Sequence, residues 1–166
     1  GHERGFHALV GQHQVVLTDE GMETSFVTNI LSHHILVKGL IERGLLKDNG
    51  TVIEVSSGGM YNHRMVAKDL NVTDEARYVG SRAYGLAKRA QVMAMAYWRE
   101  VRRQLPQRFY AMHPGWVDTA SVNRSMPRFV AILKPVLRDH DKGADTILYL
   151  ARERPEQRRD EAIWFD

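Results

Sequence analysis

Apolar side chains recur every three or four positions in two long stretches of the chain. The first stretch runs from Asp19 to Arg43 and the second from about Arg82 to Gln104, where Ser81 can cap the helix. This spacing places the apolar side chains along one face and predicts two amphipathic helices. A third, shorter helix is predicted from about Lys142 to Arg152.

Three runs of apolar and β-branched residues lie between and after these helices. They are Thr51–Ser56, Arg108–Met112 and Ala162–Phe165, and each has the length of a strand. Helices that alternate with strands are typical of parallel strands joined by helical crossovers and covered on both faces. The pattern therefore predicts an α/β fold with a parallel sheet.

In a parallel sheet, ligands bind just beyond the carboxyl ends of the strands. Here that edge comprises Ser56–Met60 and His113–Thr119. The polar stretch from His63 to Tyr78 has little periodicity and is predicted to be a loop over the same edge.

Composition narrows the class of protein. The 166 residues, 43% of them hydrophobic, are enough for one domain with its own core. Without cysteine, disulfides and zinc–thiolate sites are excluded, and a reducing, cytoplasmic location is favoured. The 23 basic and 20 acidic residues are interspersed, so we expect no nucleic-acid partner. No apolar run is long enough for an integral membrane segment, and no histidine pair has the spacing of a zinc motif.

One pair of side chains in the second helix has chemical potential. Tyr84 and Lys88 are four residues apart and therefore lie on the same helix face. A nearby ammonium favours the phenolate and lowers the pKa of a tyrosine, which then exchanges a proton more readily near neutral pH. The spacing alone is common in helices, and Ser57 and Asn29 supply the further context.

Four segments together resemble the short-chain dehydrogenase/reductase family, in its classical or retinol-dehydrogenase-like branch. They are Thr28-Asn29, Val52-Ile53-Glu54-Val55-Ser56-Ser57, Tyr84-Gly85-Leu86-Ala87-Lys88 and His113-Pro114-Gly115-Trp116-Val117-Asp118-Thr119. Their order and separations also fit the family, and the resemblance extends from about Thr18 to Phe165. It implies the carboxyl-terminal half of a Rossmann-like, doubly wound parallel sheet.

The resemblance implies a catalytic tetrad. Tyr84 would exchange a proton with the substrate oxygen, and Ser57 would hydrogen-bond that oxygen. Lys88 would tune Tyr84 and hold the nicotinamide ribose, while Asn29 would hold a water molecule in a proton relay. We expect Ser57 rather than Ser56 in this role, because neighbouring strand residues face opposite sides and the family's serine is normally the second of such a pair.

The same resemblance implies the cofactor NAD or NADP, which supplies the hydride. Tyr84 and Lys88 would bind it together with residues of the segment after the second strand: Pro114, Gly115, Val117 and Thr119. Gly115 suits a close approach of backbone to ligand, since it has no Cβ. The alternative for this segment is a turn that ends the strand.

The amino-terminal part departs from the family pattern. The glycine-rich turn that cradles the dinucleotide is absent from the sequence, and only about seventeen residues precede Thr18. The missing strands and crossovers would need on the order of 90 residues at ~30 per unit. We therefore expect residues 1–166 to form a single dehydrogenase-type domain that is incomplete at its amino terminus and belongs to a longer polypeptide.

Two functions remain open at this point. The first is an oxidoreductase that interconverts a small apolar alcohol with a ketone or aldehyde. The alternative is a catalytically silent binding or scaffold protein that keeps the tetrad and lacks the dinucleotide cradle. Family members often associate through their long helices, so a homo-oligomer is also expected from the resemblance. The choice between NAD and NADP, the substrate and the reaction direction are not fixed by the sequence.

Overall fold

The centre of the fold is a parallel sheet of three strands. The computed structural model describes residues 14–125, 127–158 and 161–165. Within them, β1 (Thr51–Val55), β2 (Arg108–His113) and β3 (Trp164–Phe165) lie side by side in chain order. Both pairings are parallel, so the carboxyl ends of all three strands point to one edge.

Helices connect and flank the strands. Helix α1 consists of three consecutive segments: α-helical Thr24–Phe26, a π-helical turn Val27–Leu31, and α-helical Ser32–Glu42. The remaining helices are α2 (Gly80–Val101), α3 (Ala120–Ser125), α4 (Pro127–Leu133) and α5 (His140–Glu153). Short 3₁₀ turns lie at Gly58–Asn62, Ala67–Asp69 and Lys134–Val136.

Strand β2 is buried on both faces. Phe109 and Ala111 face one side and pack with residues of α1 and α2, including Val37, Met95 and Trp98. Tyr110 and Met112 face the other side and pack with Leu150 of α5 and with Ile53, Ile147 and Trp164. The period of two along one strand thus supplies two hydrophobic layers, as expected for a parallel sheet covered by helices. The predicted α/β class is confirmed.

The beginning of α1 differs from the prediction. Residues from Thr18 to Gly21 form a turn, with Gly21 at φ +75°, and the helix begins at Thr24 rather than near Asp19. The Glu23 carboxylate caps it by accepting hydrogen bonds from the backbone N–H groups of Ser25 and Phe26 at 2.9 and 2.7 Å. A buried carboxylate at this position is favoured by the helix dipole.

One smaller expectation is also wrong. Ser81 does not cap α2, because the helix already begins at Gly80, and its N-cap residue Val79 makes no side-chain capping bond. The apolar spacing of the two long helices also includes side chains that are not buried: Val101 is 50% exposed and Leu36 is 61% exposed. Across the described ranges, no helix combines the length and apolar character that a membrane crossing needs.

Candidate active site

Ser57 and Tyr84 meet at the carboxyl edge of the sheet. Ser57 lies two residues beyond β1 in extended backbone, where its hydroxyl accepts the N–H of Gly59 at 3.4 Å. Its hydroxyl and the ring of Tyr84, which comes from the first turns of α2, each lie 3.8 Å from the position that a Cβ on Gly59 would take. The strand end and the helix therefore place an alcohol and a phenol side by side, as the sequence predicted.

The two adjacent serines have different environments. The Ser56 hydroxyl is buried and donates to the backbone carbonyl of Lys88 at 2.8 Å. Ser56 therefore fastens the end of β1 to α2, and its hydroxyl is engaged by a backbone carbonyl. This geometry supports the choice of Ser57 as the serine that faces a substrate oxygen.

Lys88 lies one helical turn after Tyr84, with its ammonium 5.7 Å from the centre of the Tyr84 ring. The Nζ donates a hydrogen bond to the backbone carbonyl of Val55, the last residue of β1, at 3.0 Å. Burial lowers the pKa of Lys88 to about 8, and the negative charge of Glu54 partly opposes this change. Lys88 therefore exchanges its proton much nearer to neutral pH than an exposed lysine does.

The pKa of Tyr84 is raised, whereas the sequence argument expected it to be lowered. Burial is the larger cause, because it disfavours the phenolate, and the hydrogen bond from Ser57 acts in the opposite direction. The Lys88 ammonium is bonded to the Val55 carbonyl rather than to the phenol. In this arrangement Tyr84 is predominantly the protonated phenol, which is the form that donates a proton.

Asn29 lies in the π-helical turn of α1. It is buried, and its side-chain N–H group donates to the backbone carbonyl of Ser25 at 3.0 Å. Single π turns inside α-helices frequently occur at functional sites, because the extra residue changes which backbone groups are free. The turn was not foreseen from the sequence.

The segment after β2 contains the predicted cofactor residues Pro114, Gly115, Val117 and Thr119. It follows directly from the buried His113, at the same edge of the sheet as Ser57. Its backbone is held by Arg138, whose N–H donates to the Trp116 carbonyl at 2.8 Å and whose carbonyl accepts the N–H of Asp118 at 2.9 Å.

Three residues of this segment, Gly115, Val117 and Thr119, contact other parts of the chain. Gly115 has φ +74°, a conformation that favours glycine, and a Cβ there would lie 3.2 Å from Arg138 Cδ. Val117 is buried against Gly143 of α5. The Thr119 hydroxyl accepts the N–H of Val122 at 3.2 Å and so caps α3. Both the turn-forming and the ligand-contacting interpretations of the segment are compatible with this geometry.

The sequence reasoning missed a buried polar group beneath the site. The Glu54 carboxylate, 7% exposed, accepts the Gln91 Nε2 group of α2 at 2.9 Å and lies 3.0 Å from His33 Nδ1 of α1. An acidic residue within a buried strand was the available signal, since a strand interior rarely contains an uncompensated charge.

Two further observations concern bound groups. Among the residues that the structure describes, no cluster of three or more histidine, aspartate or glutamate side chains is arranged to hold a metal ion. For a dinucleotide, the side chains suited to a nicotinamide ribose, Tyr84 and Lys88, are present and lie together. The sequence contains no glycine-rich turn for the pyrophosphate, so this chain supplies only part of such a site.

Comparisons with known proteins agree with this architecture. The chain is 38% identical over 135 residues to "Dehydrogenase/reductase SDR family member 12" of Bos taurus, and 38% identical over 135 residues to the human protein of the same name. Each alignment covers 81% of this chain and 42% of the relative. It is also 29% identical over 159 residues to human "Retinol dehydrogenase 12", covering 90% of this chain and 49% of that protein. No protein-family model matches the chain.

The parallel sheet, the Ser57–Tyr84–Lys88 arrangement and these relatives define the class. The chain belongs to the short-chain dehydrogenase/reductase family, a family of oxidoreductases. It spans about half the length of the curated relatives that it matches.

Proposed function

We propose that this chain carries the proton-transfer half of an NAD(P)-dependent oxidoreductase that interconverts an alcohol with a ketone or aldehyde. The observation that supports the proposal is that the Ser57 hydroxyl and the Tyr84 ring lie against the same residue, Gly59, with Lys88 one helical turn away at the same sheet edge. A relative from Streptomyces sp. (strain C5), 33% identical over 135 residues, has the name "Putative daunorubicin C-13 ketoreductase DnrU", which is consistent with carbonyl chemistry.

Each side chain has a role that follows from its position. During carbonyl reduction, the protonated Tyr84 phenol donates its proton to the substrate oxygen, while the Ser57 hydroxyl hydrogen-bonds the same oxygen. Lys88 would hold the ribose of the cofactor through its Nζ and, with its pKa lowered to about 8, would return a proton to the site. Asn29 supports this relay from the π turn. When bound, NAD(P) supplies or accepts the hydride.

The segment after β2 contains the other residues that we propose bind the cofactor. Pro114, Gly115, Val117 and Thr119 lie at the carboxyl edge where a nicotinamide would have to meet Tyr84. The pyrophosphate cradle is not supplied by this chain's sequence. The proposal therefore concerns the full-length protein, and the choice between NAD and NADP depends on residues outside this segment.

Partners are also proposals. A substrate of apolar character suits the exposed Tyr61 and Trp116, which flank the site edge. A homo-oligomer suits the exposed apolar residues of the two long helices, Ile35, Leu36, Met93 and Tyr97. Light scattering on a sizing column tests the second point, since a monomeric mass for the full-length protein would contradict it.

The principal experiment compares Tyr84→Phe with Tyr97→Phe in the full-length protein. Tyr97 lies on the same helix, is 56% exposed and is remote from Ser57, so it is a matched control. Removing only the proton-transfer group should reduce carbonyl reduction about 10²–10⁴-fold. The control variant should retain the wild-type rate, and both should keep the wild-type circular dichroism spectrum.

A fluorescence titration with NADH and NADPH separates the two open functions. Saturable binding together with Tyr84-dependent turnover supports the oxidoreductase. Absence of saturable binding would favour the silent protein, which lacks the dinucleotide cradle. Retention of activity by Tyr84→Phe would refute the proton-transfer role.

A further inference from the structure

Three consecutive residues at the end of β1 fasten this strand to α2. Glu54 accepts Gln91 Nε2 at 2.9 Å, the Val55 carbonyl accepts Lys88 Nζ at 3.0 Å, and the Ser56 hydroxyl donates to the Lys88 carbonyl at 2.8 Å. We name these contacts, from Glu54 to Ser56 on β1 and from Lys88 to Gln91 on α2, the strand–helix seam. Two of its three bonds go to Lys88 itself.

Glu54 also reaches the helix that carries Asn29. His33 follows Asn29 by four residues, so the two share a helix face, and its Nδ1 lies 3.0 and 3.1 Å from the two oxygens of Glu54. Gln91 follows Lys88 by three residues. The Glu54 carboxylate therefore contacts His33, one turn after Asn29 on α1. It also contacts Gln91, one turn after Lys88 on α2.

Such a carboxylate is costly for a purely structural role. A buried charge loses several kcal/mol of hydration, and a neutral amide would make the same two contacts without that loss. A charge at this position acts over a longer range than a hydrogen bond, because the buried surroundings screen it weakly. One nearby group whose function depends on charge is Lys88, which is partly buried.

We propose that Glu54 is a positioning residue for the candidate site: through Gln91 and His33 its carboxylate fixes the helices that carry Lys88 and Asn29, and its negative charge, one residue before the Val55 carbonyl that binds Lys88 Nζ, acts on the Lys88 ammonium. The role in turnover rests on the proposed function, whereas the effect on Lys88 does not. Burial drives Lys88 toward the neutral amine, and Glu54 opposes this. An ammonium has three N–H donors for the Val55 carbonyl and a ribose, and the neutral amine has only two.

Glu54 and Lys88 have the following charged and titratable neighbours among the described residues. Glu54 is the acidic group that acts on Lys88 from β1, and Tyr84 is the titratable neighbour on α2 itself. From α1, His33 contacts Glu54 and adds a positive charge only when it is protonated. On β2, the residue paired with Glu54 is the neutral Ala111.

The test is a direct titration of Lys88. In protein labelled with ¹³C-lysine, the Cε chemical shift of Lys88, assigned by its absence in Lys88→Met, reports the loss of its proton. Glu54→Gln keeps the side-chain length and removes the charge, so Lys88 should titrate about one pH unit lower. Glu54→Asp keeps the charge and should leave the titration near that of the wild type.

Two controls separate charge from packing. Glu42→Gln removes an exposed carboxylate that pairs with Lys38 on α1, and it should not change the Lys88 titration. Gln91→Met removes a donor to Glu54 but keeps the carboxylate, so Lys88 should not titrate lower. If Glu54 were only a packing group, Glu54→Gln and Gln91→Met would move Lys88 in the same direction.

The outcomes are distinct from those for the proposed function. An unchanged Lys88 titration in Glu54→Gln overturns the proposal, as does a lower titration in Gln91→Met, even if Glu54→Gln does not fold. In the active full-length protein, Glu54→Gln should also move the alkaline limb of the kcat/KM profile to lower pH. A wild-type protein without turnover would refute the oxidoreductase and would leave the Lys88 titration as the test of Glu54.

Discussion

The segments that follow β1 and β2 reach the same edge of the sheet by different means. After β1, Ser56 is buried beneath α2 and Gly59 lies against the Tyr84 ring, so side chains of two elements fix the backbone closely. After β2, Trp116 and Asp118 are held by backbone hydrogen bonds to Arg138, and 42% of Trp116 is exposed.

This contrast separates two requirements of the site. Groups that transfer protons must be fixed to within fractions of an ångström, which packed helices and strands provide. A segment that admits a cofactor has to remain accessible, and an exposed loop opens at lower free energy than a strand end packed beneath a helix. The following four predictions test the contrast, beginning with the largest expected effect.

Lys88→Met should stabilise the folded protein. It should also abolish the return of a proton to the site by Lys88. Unfolded lysine keeps its proton to about pH 10.5, and the folded-state pKa is about 8, so the folded protein binds fewer protons between these values. Wild-type stability should therefore rise through this window, whereas the variant should lack this rise and be about 2–3 kcal/mol more stable at pH 7. Urea unfolding at pH 7, 9 and 10 measures the difference.

The tyrosines contribute equally to the pH dependence of wild type and Lys88→Met, so their contribution cancels in the difference between the two. They include Tyr78, whose pKa is raised to about 12. Lys68→Met, at an exposed position, is the control and should show the wild-type pH dependence. A parallel pH dependence for Lys88→Met and wild type would contradict the burial of Lys88.

Gly85→Ala should destabilise the closely packed region after β1. A Cβ at this position would lie 2.9 Å from the Gly59 carbonyl oxygen and 2.5 Å from His63 Cδ2, so backbone must move. We expect a loss of about 1–3 kcal/mol in the free energy of unfolding. Gly39→Ala is the matched control, because the space around its Cβ is open and alanine favours the helix by about 0.5–1 kcal/mol. Thermal unfolding measures both variants: Gly85→Ala should lower the Tm and Gly39→Ala should raise it. A Gly85→Ala variant as stable as the wild type would contradict the close packing at this position.

Gly115→Ala should have a smaller effect, confined to the loop after β2. The φ of +74° costs an L-residue about 1–2 kcal/mol, while the contact with Arg138 Cδ at 3.2 Å involves a flexible side chain. Gly115→Asn should cost less than Gly115→Ala, since asparagine tolerates this conformation better. Amide hydrogen exchange would show faster opening near the loop; equal costs for both variants would argue against backbone strain as the cause.

Thr119→Ala should have the smallest effect. It removes the oxygen that accepts the Val122 N–H and so weakens the start of α3 by about 0.5–1 kcal/mol. Thr119→Ser keeps that oxygen and should behave as wild type. Hydrogen exchange of the α3 amides is the measurement, and a global loss of stability as large as that of Gly85→Ala would remove the contrast between the two segments.

The sequence predicted the element order and placed the three strands and α5 within two residues of their observed bounds, but it placed the start of α1 five residues too early. Periodicity located the two long helices and the strands because hydrophobic spacing is a local property. It did not identify the Glu23 cap, which takes part in a contact with Tyr78 55 residues away. The π turn at Asn29 was equally invisible, because its residues have ordinary helical character.

The sequence by itself determined the α/β class, the family and the residue types at the sheet edge, since these depend on spacing and on short motifs. Only the tertiary structure decided the electrostatics. Burial raises the pKa of Tyr84 and lowers that of Lys88, and the carboxylate that acts on Lys88 comes from a different element. Charge and hydration depend on what packs around a group in space, and spacing along the chain does not contain that information.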